Sequence, residues 1–256
     1  MPDCSAKEAL YAFVEQLRNE MGEPSRSYPL RAASLRSWKR PTVLELHAFY
    51  THGFCGAAIT GRRTDTIILN TRRSEAERNF DCAHEMIHLS RHRDREISCF
   101  QCFESAFPAR DGFLEWEANE GAAELLVPYR LLLPLTAEAF PAFRSSRDVA
   151  RFKLFLAARF GVSGGMVFQR LENLKWEIQQ HLSGIPLSEI SLCSQRELDS
   201  QGRSVLSLND HQEALRRASA PFRRKSGRPT DTEPGNSLAE ETLRKAEQEW
   251  LYGFLE

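Results

Sequence analysis

The chain has 256 residues, with 34 Lys and Arg against 35 Asp and Glu, so its formal net charge is −1. Hydrophobic residues make up 41 % and charged residues 27 %, which excludes a disordered, fibrous or membrane class for the chain as a whole. The balanced charge gives no whole-chain case for a nucleic-acid binder. The opening MPDCSAKEALYAFVEQ has no basic region followed by an apolar core, so it does not read as a secretory signal. The apolar run Leu131–Leu135, interrupted by Pro134, falls far short of the roughly 20 residues that span a bilayer. Six cysteines (Cys4, Cys55, Cys82, Cys99, Cys102 and Cys193) in such a chain are expected to be reduced thiols of a cytoplasmic protein.

Residues 5–21 place Ala9, Leu10, Phe13, Val14, Leu17 and Met21 at helical spacing, and Gly22 ends the run. Three short β-like runs follow at Val43–Phe49, Phe54–Ile59 and Thr66–Leu69, with polar and glycine punctuation between them. Residues 74–91 read as a helix with Ser74 as N-cap and Glu77 completing a capping box. Residues 93–112 read as a long connection. Helices are expected over 113–126, 146–159 and 163–181, the last two divided at Gly161. Ser194–Asn236 is polar and shows no sustained period, like a linker or tail. Residues 237–255 read as a terminal amphipathic helix.

The chemistry concentrates in His84-Glu85-Met86-Ile87-His88, an H-E-x-x-H pattern. Positions i and i+4 share a helix face, so His84 and His88 can point their imidazoles at one zinc ion. Glu85 sits about 100° around the helix, placed to act as a base on a metal-bound water without ligating the metal. A catalytic zinc needs a third protein ligand. The segment FLEWEANEGAAELLVP offers Glu115, Glu117, Glu120 and Glu124. On a helical wheel Glu115 shares the small, apolar face with Ala118, Asn119, Ala122, Leu125 and Leu126. The other three glutamates group opposite, as a solvated face. Glu115 is therefore the preferred third ligand, with Glu117 as the alternative. Asn119 is a candidate to orient a ligating histidine, against ordinary helix packing.

The strand Ile67-Ile68-Leu69-Asn70, the helix Ala83-His84-Glu85-x-x-His88 and the helix carrying Glu115, Ala118, Asn119, Ala122, Leu125, Leu126 and Pro128 together resemble the ImmA/IrrE family of zinc-dependent metallopeptidases. Phe160, Val162, Ser163, Arg170 and Leu171 extend the resemblance, which covers roughly residues 40–175. One departure is Gly121, where the family usually has an aromatic residue; the wheel puts it towards the polar side. The resemblance implies a thermolysin-like zincin core with Glu85 as general base. It also implies a protein substrate, typically a helix-turn-helix repressor cleaved site-specifically to release a mobile element or stress operon. These are expectations by analogy.

Other features carry weaker signals. Cys99-Phe100-Gln101-Cys102 is a CxxC with no second pair, so it is either a redox pair or structurally incidental. His92 and Tyr129 could donate to an oxyanion, but a surface histidine and a packed tyrosine are the simpler readings. Arg216–Arg228 contains six basic residues and no acid, a pattern more usual in a solvated tail than in a nucleic-acid site.

The expected architecture is α+β. A zincin-like catalytic domain spans 1–135, with a small, mostly antiparallel sheet and the active-site helices. A helical portion spans 136–185, and a polar tail spans 186–256. The expected function is a cytoplasmic zinc endopeptidase with His84, His88 and Glu115 as Zn2+ ligands and Glu85 as base. The alternative is a non-catalytic zinc-containing module that sequesters a regulator or contacts DNA. No membrane partner is expected.

Overall fold

A computed structural model describes residues 5–21, 31, 41–93, 99–103 and 112–219. In chain order the elements are α1 (Ser5–Glu20), β1 (Thr42–His47), β2 (Phe54–Ile59), β3 (Asp65–Asn70), α2 (Glu75–Arg91), β4 (Cys99–Phe103) and α3 (Gly112–Leu126). Then follow α4 (Tyr129–Ala139), a 3-10 turn (Phe140–Ala142), α5 (Ser146–Phe160), α6 (Gly164–Asn173), α7 (Lys175–Leu182), α8 (Gln195–Ser200) and α9 (Leu208–Ser219). Among the described residues no helix is long and apolar enough to cross a membrane.

The fold is α+β, with one four-stranded sheet in the order β1-β3-β2-β4. Strand β2 pairs antiparallel with β3 and β4, whereas β1 runs parallel to β3. The sheet is therefore mixed. Asn70, at the end of β3, holds the β1–β2 loop: its amide nitrogen donates to the Phe54 carbonyl at 2.9 Å, and its oxygen accepts from the Phe49 amide at 3.1 Å. The Ser74–Glu77 capping box closes the start of α2 as expected. This long helix packs against β2, β3 and β4 on one side and against α3 on the other.

Several elements differ from the sequence expectation. Part of the 93–112 connection is strand β4, whose alternating Cys-Phe-Gln-Cys-Phe pattern was the available signal. Helix α4 went unread because Pro134 lies inside it; Leu132 and Leu133 bury one of its faces regardless. The expected 163–181 helix breaks at Leu174 into α6 and α7. Within the stretch read as a tail, α8 and α9 form, with Val205 and Leu208 buried. Arg216 and Arg217 of the basic run belong to α9 and pair with Glu213 at its exposed surface. The rest of that run and the 237–255 segment lie outside the described residues.

The core runs from Leu10 and Val14 of α1 through Leu69, Met86 and Leu125 to Leu156 and Leu171. At Gly121 an added Cβ would lie 3.1 Å from the Ile87 side chain, so this glycine lets α2 and α3 approach closely. Gly121 thus faces α2, not the polar side. The wheel also fails for Glu117, Glu120 and Glu124, which are 5, 3 and 6 % exposed. Helix α3 is covered on nearly every side, so it has no solvated face. Glu120 accepts from Asn173 at 2.6 Å and pairs with Arg170 at 2.7 Å; Glu124 pairs with the same guanidinium. Lys7 pairs with Glu177 at 2.8 Å beside them.

Two cations thus face three carboxylates in one buried cluster. Burial raises Glu124 to about 7 despite the pull of Arg170. A raised acid contributes stability that is complete below its unfolded value and is lost as pH rises through its folded value. Glu124→Gln, neutral at every pH, removes that component. The variant's melting temperature relative to wild type should therefore rise between pH 4.5 and pH 7; a constant difference would show that Glu124 stays ionised. Gly121→Leu should cost about 1–3 kcal/mol in denaturant unfolding, because the larger side chain must displace Ile87 at the α2–α3 contact.

Candidate metal centre

Helix α2 aligns Asp81, His84, Glu85, His88 and His92 along one stripe, at the spacings that repeat on a helical face. All five are buried. Glu115 lies in the first turn of α3 and is the least buried of that helix's glutamates, its side chain 35 % exposed. The fold brings it opposite the two histidines. His84 Nε2 and His88 Nε2 are 3.0 Å apart, and the Glu115 carboxylate oxygens lie 3.5 and 3.6 Å from them. Donors held about 2.0–2.1 Å from a tetrahedral zinc are about 3.3 Å from one another. The three observed separations bracket that value. Glu117 is not in this set.

The outer ring atoms explain why the Nε2 atoms converge. His84 Nδ1 is 3.0 Å from Asn119 Oδ1. That oxygen can only accept, so the proton sits on Nδ1 and Nε2 presents a lone pair. His88 Nδ1 is 2.9 Å from His92 Nδ1, and His92 Nε2 is 3.1 Å from Glu117 Oε2. With a proton donated from His92 Nε2 to Glu117, His92 Nδ1 accepts from His88 Nδ1–H. The Nε2 of His88 is then also a lone pair. Two lone pairs facing at 3.0 Å repel unless a cation lies between them. Burial, reinforced by His84 and His92, pushes His88 down to about 2, so its ring is neutral as a metal ligand requires. Phe100 of β4 stacks on the His88 ring, with centroids 4.4 Å apart and planes at 16°.

Glu85 is fully buried, and neither carboxylate oxygen has a partner at hydrogen-bonding geometry. Burial raises it well above the ordinary carboxylate range, helped by Asp81 and Glu115, and the Ala58 backbone offsets only part. Gly56 of β2 lies beneath it; a Cβ there would come 3.8 Å from Glu85 Oε1. Asp81 accepts from Arg73 Nε at 2.6 Å, and burial still raises it to about 6.

The structure therefore gathers His84, His88 and Glu115, with Glu85 beside them. Two residues of the site were missed in sequence. His92 is buried, not a surface histidine, and Glu117 is its partner, not a solvent charge. The signal was present: His92 repeats the i+4 spacing once more along α2. Tyr129 is packed against Tyr11, with ring centroids 5.7 Å apart. Cys99 is exposed on β4 while Cys102 turns partly inward, so the CxxC residues do not face each other. The described free thiols are Cys55, Cys82, Cys99 and Cys102. Cys193 is instead disulfide-bonded, a departure from the reduced set expected.

The family profile described as the IrrE N-terminal-like domain, a peptidase family, matches residues 42–172. That span holds the sheet, α2, α3 and every residue of the candidate centre. No curated protein matches the chain.

His92→Phe keeps a ring in the cavity but removes both nitrogens. It should weaken divalent-metal binding by about 10–100-fold, measured by competition with a chromogenic chelator. An unchanged affinity would mean that packing on Phe100 alone orients His88.

Proposed function

The chain belongs to the IrrE N-terminal-like domain family of metallopeptidases, and from that premise we propose that it is a zinc-dependent endopeptidase. The observation that carries the reading is the convergence of His84, His88 and Glu115 beside a buried, partnerless Glu85. Two imidazoles and one carboxylate with an open position are the ligand set of catalytic zinc. Bound zinc lowers the pKa of water towards neutrality and polarises the scissile carbonyl.

The protein's own residues do the rest. Asn119 and the His92–Glu117 pair keep the two ligand rings turned with Nε2 inward. Glu85 accepts the proton of the attacking water at a carboxylate oxygen and then passes it to the leaving amine. Partial exposure of Glu115 and Asn119 leaves the α3 side of the centre open to an approaching chain.

We assign a protein substrate, of the repressor type by analogy with the family resemblance. Motif and geometry support peptide hydrolysis; the repressor rests on the analogy alone. Co-expression with a helix-turn-helix repressor encoded beside this gene, followed by terminal sequencing of fragments, tests it. Glu85→Gln should retain one zinc and reduce cleavage by at least about 10²–10⁴-fold. Glu115→Ala should lose the zinc held by His84 and His88, whereas Glu117→Ala should keep it with weakened affinity. Wild-type cleavage by Glu85→Gln, or full zinc in Glu115→Ala, would overturn the mechanism.

A further inference from the structure

Cys102 faces inward from β4, and what it meets is Cys55 and Asp81. Cys55 occupies the irregularity in the β2–β4 ladder between Phe54 and Gly56, opposite Phe103 and Cys102. The bulge swings its side chain under the neighbouring strand. The Cys55 thiol donates to the Gly53 carbonyl at 3.4 Å. One donor atom from each of Cys55, Cys102 and Asp81 lies within 4.8 Å of the other two. Cys55 and Asp81 are each 2 % exposed. Both cysteines are free thiols.

A second observation points the same way. The Cys102 sulfur is also within 4.8 Å of donor atoms on His84 and on Glu85, the buried carboxylate whose oxygens lack partners, so this wall adjoins the histidine centre. Two thiols and two carboxylates therefore line one buried wall between β2, β4 and α2. Arg73 occupies one Asp81 oxygen, Oδ2, and a carboxylate has two. Ligands about 2.3 Å from a tetrahedral ion lie about 3.8 Å apart, so closure of about an ångström brings the three onto one ion.

We propose that Cys55, Cys102 and Asp81 form a second metal site that takes a thiophilic d10 ion such as zinc or cadmium. It shares no residue with the His84–His88–Glu115 set. Thiolate donors select ions of this class over magnesium or calcium. Binding forms two metal–sulfur bonds and releases one proton from each thiol to solvent, with no change in oxidation state. Glu85, with a donor atom within 4.8 Å of the Cys102 sulfur, is a candidate for the fourth position. On the reading of Glu85 as catalytic base, occupancy of this site withdraws that carboxylate and makes excess metal inhibitory. The binding itself does not depend on that reading.

The test uses the full chain with the Cys193 disulfide intact, stripped of metal, titrated with cadmium alone and read by stoichiometry and by thiolate-to-metal charge-transfer absorption. Wild type should bind two equivalents and show the absorption. The Cys55→Ser/Cys102→Ser double variant should bind one equivalent and lose it. Cys99→Ser, altered on the outward face, should behave as wild type. His84→Ala/His88→Ala should keep the absorption with one equivalent; if it still bound two, the histidine centre would fail while the thiol site stood. Asp81→Asn guards against misfolding of the cysteine variants: it should keep the absorption but bind that equivalent at least tenfold more weakly. Absence of charge transfer in wild type, or its survival in the double cysteine variant, overturns the proposal.

Discussion

The structure depends on keeping carboxylates inside the protein. Helix α3 buries Glu117, Glu120 and Glu124 on different sides, and a buried carboxylate without a partner costs several kcal/mol. The compensating groups come from distant parts of the chain. Arg91 and His92 on α2 hold Glu117. Tyr11 on α1 and Arg170 on α6 hold Glu120, and Arg170 also holds Glu124. Each contact is a fixed point, and three of them determine where α3 lies against α1, α2 and α6. The position of Glu115 in the first turn follows from those anchors.

That anchoring matters because a metal centre tolerates little error. Ligand geometry must hold within about half an ångström if the site is to be preorganised. The α-helix alone guarantees that His84 and His88 share a face. It does not guarantee which nitrogen each ring presents. Asn119 and His92 decide that, and His92 is itself held by Glu117. The same glutamate that anchors α3 therefore also orients the His88 ring, so scaffold and candidate site are one network.

The sheet contributes from the other side. Asn70 closes the β1–β2 loop, Gly56 lets β2 lie close against the Ile68 carbonyl of β3, and Phe100 lies flat on His88. Strand alternation then sorts the rest of β4. Phe100 and Cys102 turn towards α2 while Cys99 turns out, which is why two cysteines that look paired in sequence are separated in space. A cysteine distant in sequence, Cys55, becomes the neighbour instead.

Local rules were enough for much of this. The spacing of HEMIH placed two imidazoles together, the Ser74–Glu77 pair started α2, and apolar periodicity located most of the helices. Glu115 was found because it shares a wheel face with small residues. The wheel failed for the other three glutamates because it assumes that one side of a helix meets water. Helix α3 is enclosed by α1, α2 and α6, and nothing within its own fifteen residues records that. The parallel pairing of β1 and the meeting of Cys55 with Cys102 were equally illegible, for one reason. The sequence by itself determined which side chains could act together along a single element. Which elements would press those side chains against others, and so which charges needed partners, was decided only when the chain had packed.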